Sequence, residues 1–341
     1  MKTERNSSYE LLRLISIFGI VVMHSFARVD TGTSMPNTAV HVFYNALFNT
    51  GVTCFILISG FFGIRFSLKK LIRIDMMFIF FQLFGTMLCG DTSMKNIIKA
   101  CFPVLTRQQW FITCYFALCI LAPFLNQIPI YMQKQHFQIL LLVLLGIFCV
   151  VPTVTTYDIM QDAGKGLGHF IVIYLLGQYL ARYKRERYSR RKLLGSFFLC
   201  ILCIFGLDLA LTCHNGVLYS TFARDCSIFI VLAAVILLLF FNGLHFKNLF
   251  MNRLASNVLA VTILEPFAQR LIGRWFELNN CRDSVLLGII ILGHALFIML
   301  VSMTLNEVRC FLFKHIETWT VDFISGFFSR MPACWQEYYK N

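Results

Sequence analysis

The chain is predicted to be an all-α polytopic membrane protein with about ten transmembrane helices and both termini cytoplasmic. Three observations predict this. Of its 341 residues, 58% are hydrophobic and 14% charged, and the mean hydropathy is +0.70, which is far from the composition of a soluble domain. Apolar runs of spanning length recur along the chain. Lys and Arg collect in alternate connecting segments, as cytoplasmic loops do.

The runs fall at about 11–29, 40–64, 71–90, 110–128, 137–153, 166–183, 193–213, 225–243, 254–272 and 284–313. No small-residue cleavage site follows the first run and further spans come after it, so it is expected to stay in the protein rather than act as a signal peptide. An even number of spans puts both termini on one side. With that side inside, the inner segments carry Lys2 and Arg5; Arg65, Lys69, Lys70 and Arg73; Lys134; the run from Arg182 to Lys192; Lys247 and Arg253; and Arg309, Lys314, Arg330 and Lys340. The acids Asp30, Asp91, Asp158, Asp162 and Asp283 fall on the outer side. The loops leave no room for a soluble domain. The expected division is a ten-helix membrane domain over 1–314 and a cytoplasmic tail over 315–341. In that tail Trp319, Phe323, Phe327, Phe328 and Trp335 alternate with polar groups, as in an amphipathic helix lying on lipid.

The net charge of +13 is spread over short segments between spans. Topology accounts for it, and no nucleic-acid partner is expected. The thirteen cysteines lie mostly inside apolar runs (Cys54, Cys89, Cys149, Cys200, Cys203) without metal-ligand spacing. They are read as small core residues, and no metal site is expected.

The first span is the unusual one, since it carries Glu10, Arg13 and His24 in an otherwise apolar stretch. Arg13 and His24 lie roughly 16 Å apart along a helix and on nearly the same face, which Glu10 shares. Charges facing hydrocarbon cost several kcal/mol, so the stripe is expected to face a protein interior or a cavity. In the predicted topology Arg13 lies just inside the inner surface and His24 nearer the outer one. Two readings of the pattern stand side by side. In one, an extended anionic ligand from the cytoplasm is held at Arg13 and presents its far end to His24. In the other, Arg13 reaches to headgroups and His24 bonds a neighbouring carbonyl.

Arg-x10-His after Glu10-Leu11-Leu12 resembles the start of the acyltransferase-3 family of integral membrane acyltransferases, which includes many bacterial glycan O-acetyltransferases. Phe55-Ile56-Leu57-Ile58-Ser59-Gly60-Phe61-Phe62 is similar to that family's aromatic-rich second span, and Arg65, Lys69, Lys70 and Arg73 to its basic turn. Trp110-Phe111-Ile112 with Tyr115 and Pro123-Phe124-Leu125-Asn126 resembles its Trp-initiated span. Gly168-His169-Phe170 with Tyr174-Leu175-Leu176-Gly177 resembles its Tyr-Leu-x-Gly segment. Many relatives carry Tyr-Leu-Ile-His in a late span, where this chain reads Thr262-Ile263-Leu264-Glu265, so no role is carried over for that element. The soluble esterase-like domain fused to some relatives is not expected in this chain.

The resemblance implies transfer of an acyl group, usually acetyl, from cytoplasmic acyl-CoA to a sugar hydroxyl of a cell-surface or lipid-linked polysaccharide, in the inner membrane of a bacterium. No cofactor is held permanently, because acetyl-CoA is a donor substrate. The partners are acyl-CoA, the glycan acceptor and membrane lipids. His24 is the expected general base, in preference to a transient acyl carrier, with Glu10 supporting Arg13. Arg13, Arg65, Lys69, Lys70, Arg73 and Ser59 are the expected donor-site residues. For the cations the competing explanation is plain positive-inside topology, and for Ser59 it is close helix packing. Trp110, Tyr115 and Glu265 are the expected acceptor-side contacts, against interfacial anchoring of the aromatics and packing of Glu265 against Arg270. His169 is read as an interior histidine. A different class, a transporter or flippase of a lipid-linked sugar, shares the spans and the intramembrane charges, but the chain has no internal repeat and no broken helices in a second half.

Overall fold

The computed structural model describes residues 6–32, 34–183 and 188–328, and every regular element among them is helical. In order these are α1 (Ser7–Phe26), α2 (Met35–Phe48), α3 (Thr50–Phe62), α4 (Leu68–Cys89), α5 (Met94–Cys101), α6 (Trp110–Leu125), α7 (Ile128–Tyr131), α8 (Lys134–Leu145), α9 (Val151–Thr155), α10 (Leu167–Tyr183), α11 (Arg190–Asn215), α12 (Ile228–Asn242), α13 (Leu249–Ala255), α14 (Val258–Gly273) and α15 (Leu287–Phe328). Lys2, Arg5, Lys184, Arg185, Arg187, Arg330, Trp335 and Lys340 lie outside the described residues, as do the side chains of Phe327 and Phe328.

Seven helical stretches among the described residues are long and apolar enough to cross a membrane: Ser7–Phe26, Met35–Phe62, Leu68–Cys89, Trp110–Tyr131, Lys134–Thr155, Arg190–Asn215 and Leu287–Gly326. The other three expected spans are also helices, but α10, α12 and α14 have only 17, 15 and 16 residues. At about 1.5 Å per residue, 15 residues reach ~23 Å, short of a ~30 Å hydrocarbon core. Length and composition therefore identify seven of the ten expected spans among the described residues, and the other three correspond to these shorter helices. The short helices pack inside the bundle, α10 and α12 against α3, and α14 against α4 and α15.

Three expected spans differ in form. The run 40–64 lies in the single stretch Met35–Phe62, interrupted only at Asn49, which separates α2 from α3 and whose side-chain amide donates to the carbonyl of Ala223. The run 137–153 holds a widened π turn over Gly146–Val150, just before Pro152, a residue whose missing N–H disrupts regular α bonding. The run 284–313 does not stop, since α15 continues unbroken for 42 residues through 315–328. The segment expected as a separate amphipathic tail is, as far as it is described, the far end of that helix.

α1 is the core of the bundle and packs against α2, α3, α12, α13, α14 and α15. Its start, here called the proximal end, is pinned in place. Asn6 caps the helix by accepting from Ser8 N at 3.1 Å and donates to the Leu244 carbonyl at 3.0 Å, while the Tyr9 hydroxyl donates to Asn242 Oδ1 at 2.5 Å. Side-chain caps of this kind satisfy the otherwise unpaired first N–H groups.

α3 and α10 touch backbone to backbone. A methyl group on Gly60 would lie on the Tyr174 carbonyl, and one on Gly177 would come 2.5 Å from the Leu57 carbonyl. Small residues at such crossings let helices approach in a membrane, where lipid offers no hydrophobic drive for association. Next to this contact the Tyr174 hydroxyl accepts from Ile64 N at 2.8 Å and donates to Asn126 Oδ1 at 2.7 Å, and Asn126 Nδ2 donates to the Ile64 carbonyl at 3.0 Å. The Tyr-Leu-Leu-Gly and Pro-Phe-Leu-Asn segments thereby hold the turn before Arg65.

Large apolar side chains are exposed on the outer helices, among them Ile139, Leu142 and Val143 on α8, Leu199 and Leu202 on α11, and Ile289, Phe297 and Leu300 on α15. Apolar surface of this extent suits lipid contact. The described cysteines are unpaired, and Cys54, Cys89 and Cys149 are buried. No grouping of metal-ligating side chains occurs among the described residues.

Candidate functional site

Near the distal end of α1 lies a cavity of about 330 Å³, walled by Ile17, Ile20, Val21 and His24 of α1, Val52 and Phe55 of α3, the stretch Arg107–Phe111, and Thr262, Glu265 and Pro266 of α14. The His24 side chain is 53% exposed, whereas that of Glu265 is 8% exposed. His24 Nδ1 lies 3.1 Å from Glu265 Oε2, and Glu265 Oε1 accepts from the side-chain amide of Gln269. Thr262, Glu265 and Gln269 recur at helical spacing, so they share one face of α14.

The arrangement has a direct chemical reading. A carboxylate on one ring nitrogen of a histidine retains the proton there and leaves the other nitrogen, Nε2, as the acceptor. It also stabilises the imidazolium that forms when Nε2 takes a proton. Glu265 thus supports His24, which goes beyond the acceptor contact expected of it, while also lining the cavity. Arg270, its expected packing partner, pairs with Asp91 instead.

At the other end of the α1 stripe, Arg13 Nη1 donates to Glu10 Oε1 at 3.0 Å and to Oε2 at 3.2 Å. Glu10 is buried, and an unpaired carboxylate there would be costly. Between the two ends run the aromatic and small residues of α3 and α6. Phe55 and Phe111 line the cavity, their ring centroids 6.1 Å apart, and Phe111 stacks on Tyr115 at 6.2 Å. One turn further toward the proximal end, Tyr115 neighbours Ser59 and Cys119 and lies within the electrostatic reach of Arg13. Tyr115 therefore lies closer to the Arg13 end than expected of an acceptor contact, and only Trp110 of the aromatic pair lines the His24 cavity.

The basic turn divides in two. Lys69 Nζ pairs with Asp322 at 2.7 Å, and Arg73 Nε with Glu317 at 3.1 Å, both carboxylates coming from the far end of α15. Lys70 and Arg65 are exposed, and the Lys70 charge acts on Cys119 of α6. His169 is buried in α10 and does not line the cavity. It is interior, but neither ring nitrogen has a hydrogen-bond partner among the described residues, so it is not the satisfied histidine expected.

The sequence pattern did not point to Arg107, Gln109 or Gln269. Gln109 Nε2 donates to the Ile263 carbonyl at 3.0 Å and so ties the loop before α6 to α14. Arg107 reaches the cavity from a left-handed backbone with φ of 50°, a conformation that costs a non-glycine residue roughly 1–2 kcal/mol. For Gln269 the available signal was its position one turn after the lone acid Glu265.

A family model described as an acyltransferase domain matches residues 6–306. The chain belongs to the acyltransferase-3 family. It is thus a multi-pass membrane protein with an acyltransferase domain, and the match runs across the Arg13 stripe, the basic turn, the cavity and the first 20 of the 42 residues of α15. No curated protein and no solved structure matches the chain. In this member of the family, the stretch Thr262–Glu265, which departs from Tyr-Leu-Ile-His, ends in the carboxylate that holds His24.

Proposed function

We propose that this acyltransferase moves an acetyl group from cytoplasmic acyl-CoA to a hydroxyl of a cell-surface or lipid-linked polysaccharide in the inner membrane of a bacterium, with both chain termini cytoplasmic and His24 as general base. The observation that carries the reading is the His24–Glu265 pair, with the free face of the imidazole turned to a cavity. The acceptor hydroxyl enters that cavity from the distal side, and its proton passes to His24 Nε2 as its oxygen attacks the thioester carbonyl. The C–O bond forms, the C–S bond breaks, and the proton leaves with the CoA thiolate. The positive charge on the ring is largest during the attack, when the Glu265 carboxylate stabilises it most.

On the donor side, Arg13, Arg65 and Lys70 hold the CoA phosphates, since guanidinium and ammonium groups suit polyanions. Lys69 and Arg73 join them only when released from Asp322 and Glu317. Ser59, Tyr115, Phe55 and Phe111 flank the extended pantetheine arm, which covers the roughly 16 Å from Arg13 to His24. Trp110 offers a ring face to the acceptor sugar. Glu10 acts through Arg13 and is a positioning residue. A flippase reading is not favoured, because an acyltransferase domain spans the chain.

The test is to supply membranes containing the protein with labelled acetyl-CoA and to look for a labelled, base-labile glycan ester. Its formation, and its loss in His24→Ala protein that still inserts, is the expected result. Full activity of the His24→Ala protein would remove His24 from the mechanism.

A further inference from the structure

Behind the His24–Glu265 pair, at the distal ends of α1, α14 and α15, a second cavity of about 300 Å³ is lined by Arg28, Gln269, Arg270, Arg274, Glu277 and His294 among others. It differs in kind from the His24 cavity, because most of its walls are cationic or polar. Arg270 is paired with Asp91, and Arg274 Nη2 donates to the Cys89 carbonyl at 2.8 Å. The Arg28 side chain makes no hydrogen bond or ion pair among the described residues. The floor is built from buried polar groups. His294 Nδ1 lies 3.1 Å from Ser25 Oγ, and Gln269, almost fully buried, keeps its Oε1 without a hydrogen-bond partner.

Gln269 is also the link between the two cavities. Its amide nitrogen donates to Glu265, which holds His24, while its side chain lines the second cavity. Glu265 and Gln269 are one helical turn apart, roughly 6 Å along the axis. A group seated among the arginines therefore lies about one or two sugar rings from the imidazole.

Resting on the acyl-transfer reading above, we propose that the second cavity binds an oxyanion, a phosphate or carboxylate, of the acceptor glycan and positions the neighbouring hydroxyl over His24. Guanidinium groups are planar forks that match both oxyanions with paired hydrogen bonds. Three of them around one concave site, opposed by Glu277 in the lining and by the Asp91 partner of Arg270, leave an excess of positive charge that favours an anionic acceptor over a neutral one. The Gln269 and His294 side chains supply the orienting polar contacts that a charged patch on an open surface lacks.

The test uses the full chain in phosphatidylcholine nanodiscs and measures binding by calorimetry. Probes are glucose 1-phosphate, glucuronate and uncharged methyl glucoside, with acetyl-CoA titrated separately. At least one anionic sugar is expected to bind about tenfold or more tightly than methyl glucoside, a difference of about 1.4 kcal/mol. That preference should fall at least severalfold in Arg28→Gln, a position whose side chain makes no hydrogen bond or ion pair among the described residues, and vanish in Arg28→Gln with Arg274→Gln. Acetyl-CoA binding should not change in either variant. Equal binding of the neutral sugar, or an undiminished preference in Arg28→Gln, would overturn the proposal. So would loss of sugar-phosphate binding on adding phosphatidylglycerol to the nanodisc, since the cavity would then be a lipid-headgroup site. A protein that binds no acetyl-CoA overturns the acyl-transfer reading instead, whatever the sugars do.

Discussion

His24 and Glu265 are separated by 241 positions in the chain, yet Nδ1 of one lies 3.1 Å from Oε2 of the other. A Glu265→Gln substitution keeps the size of the side chain but removes the charge, and its amide can donate to Nδ1, which would move the ring proton to Nε2, where the base is needed. We expect kcat to fall about ten- to a thousandfold with little change in either KM, against a loss of about a hundred- to ten-thousandfold for His24→Ala. Steady-state transfer from labelled acetyl-CoA measures this. A wild-type kcat for Glu265→Gln would reduce the pair to a packing contact.

Arg13 is expected to act on the donor alone. Charge-assisted hydrogen bonds contribute about 1.5–3 kcal/mol, so Arg13→Ala should weaken acetyl-CoA binding roughly ten- to a hundredfold and leave acceptor KM in place. Because Arg13→Ala also removes the guanidinium that faces Glu10, the double substitution Glu10→Gln with Arg13→Gln serves as a control in which both charges of the pair are gone. Unchanged acetyl-CoA affinity in both proteins would take Arg13 out of the donor site.

Gly60 should tolerate no side chain. Gly60→Ala places a methyl on the Tyr174 carbonyl, and overpacking of this kind costs about 1–3 kcal/mol or more. Gly195 on α11, which has nothing within 4 Å of the same methyl position, is the comparison. There Ala should be neutral or stabilising by up to ~1 kcal/mol through helix propensity. Thermal unfolding in detergent should separate the two variants in opposite directions.

Glu317 links the far end of α15 to the bundle, pairing with Arg73 at 3.1 Å and with buried Arg309 at 2.9 Å. Removing one partner of a buried pair strands the other charge, so Glu317→Ala should destabilise the protein by about 3 kcal/mol. Asp322, whose pair with Lys69 is exposed, should matter by less than about 1 kcal/mol when replaced by Ala. Equal melting temperatures for the two variants would mean that the helix beyond residue 314 is not anchored to α4.

Composition and periodicity determined that this chain is an all-helical membrane protein, since a run of apolar residues has few other fates in lipid and most such helices can be read locally. They also drew attention to Glu10, Arg13 and His24, because charges in a span are costly wherever they point. Helix length was less legible. The shortness of α12 and α14, the interruption at Asn49 and the continuation of α15 past 314 depend on what neighbouring helices offer to exposed backbone groups and side chains, and no local window contains those partners. The site was legible in part for the same reason. Arg13 and Glu10 lie one turn apart on one helix, so their pairing follows from α-helical spacing. The partner of His24, the proximal position of Tyr115, the capture of Lys69 and Arg73 by α15 and the arginine cavity behind Gln269 join residues far apart in the chain. Only the packing of α1, α4, α6, α14 and α15 brings those residues within hydrogen-bonding range.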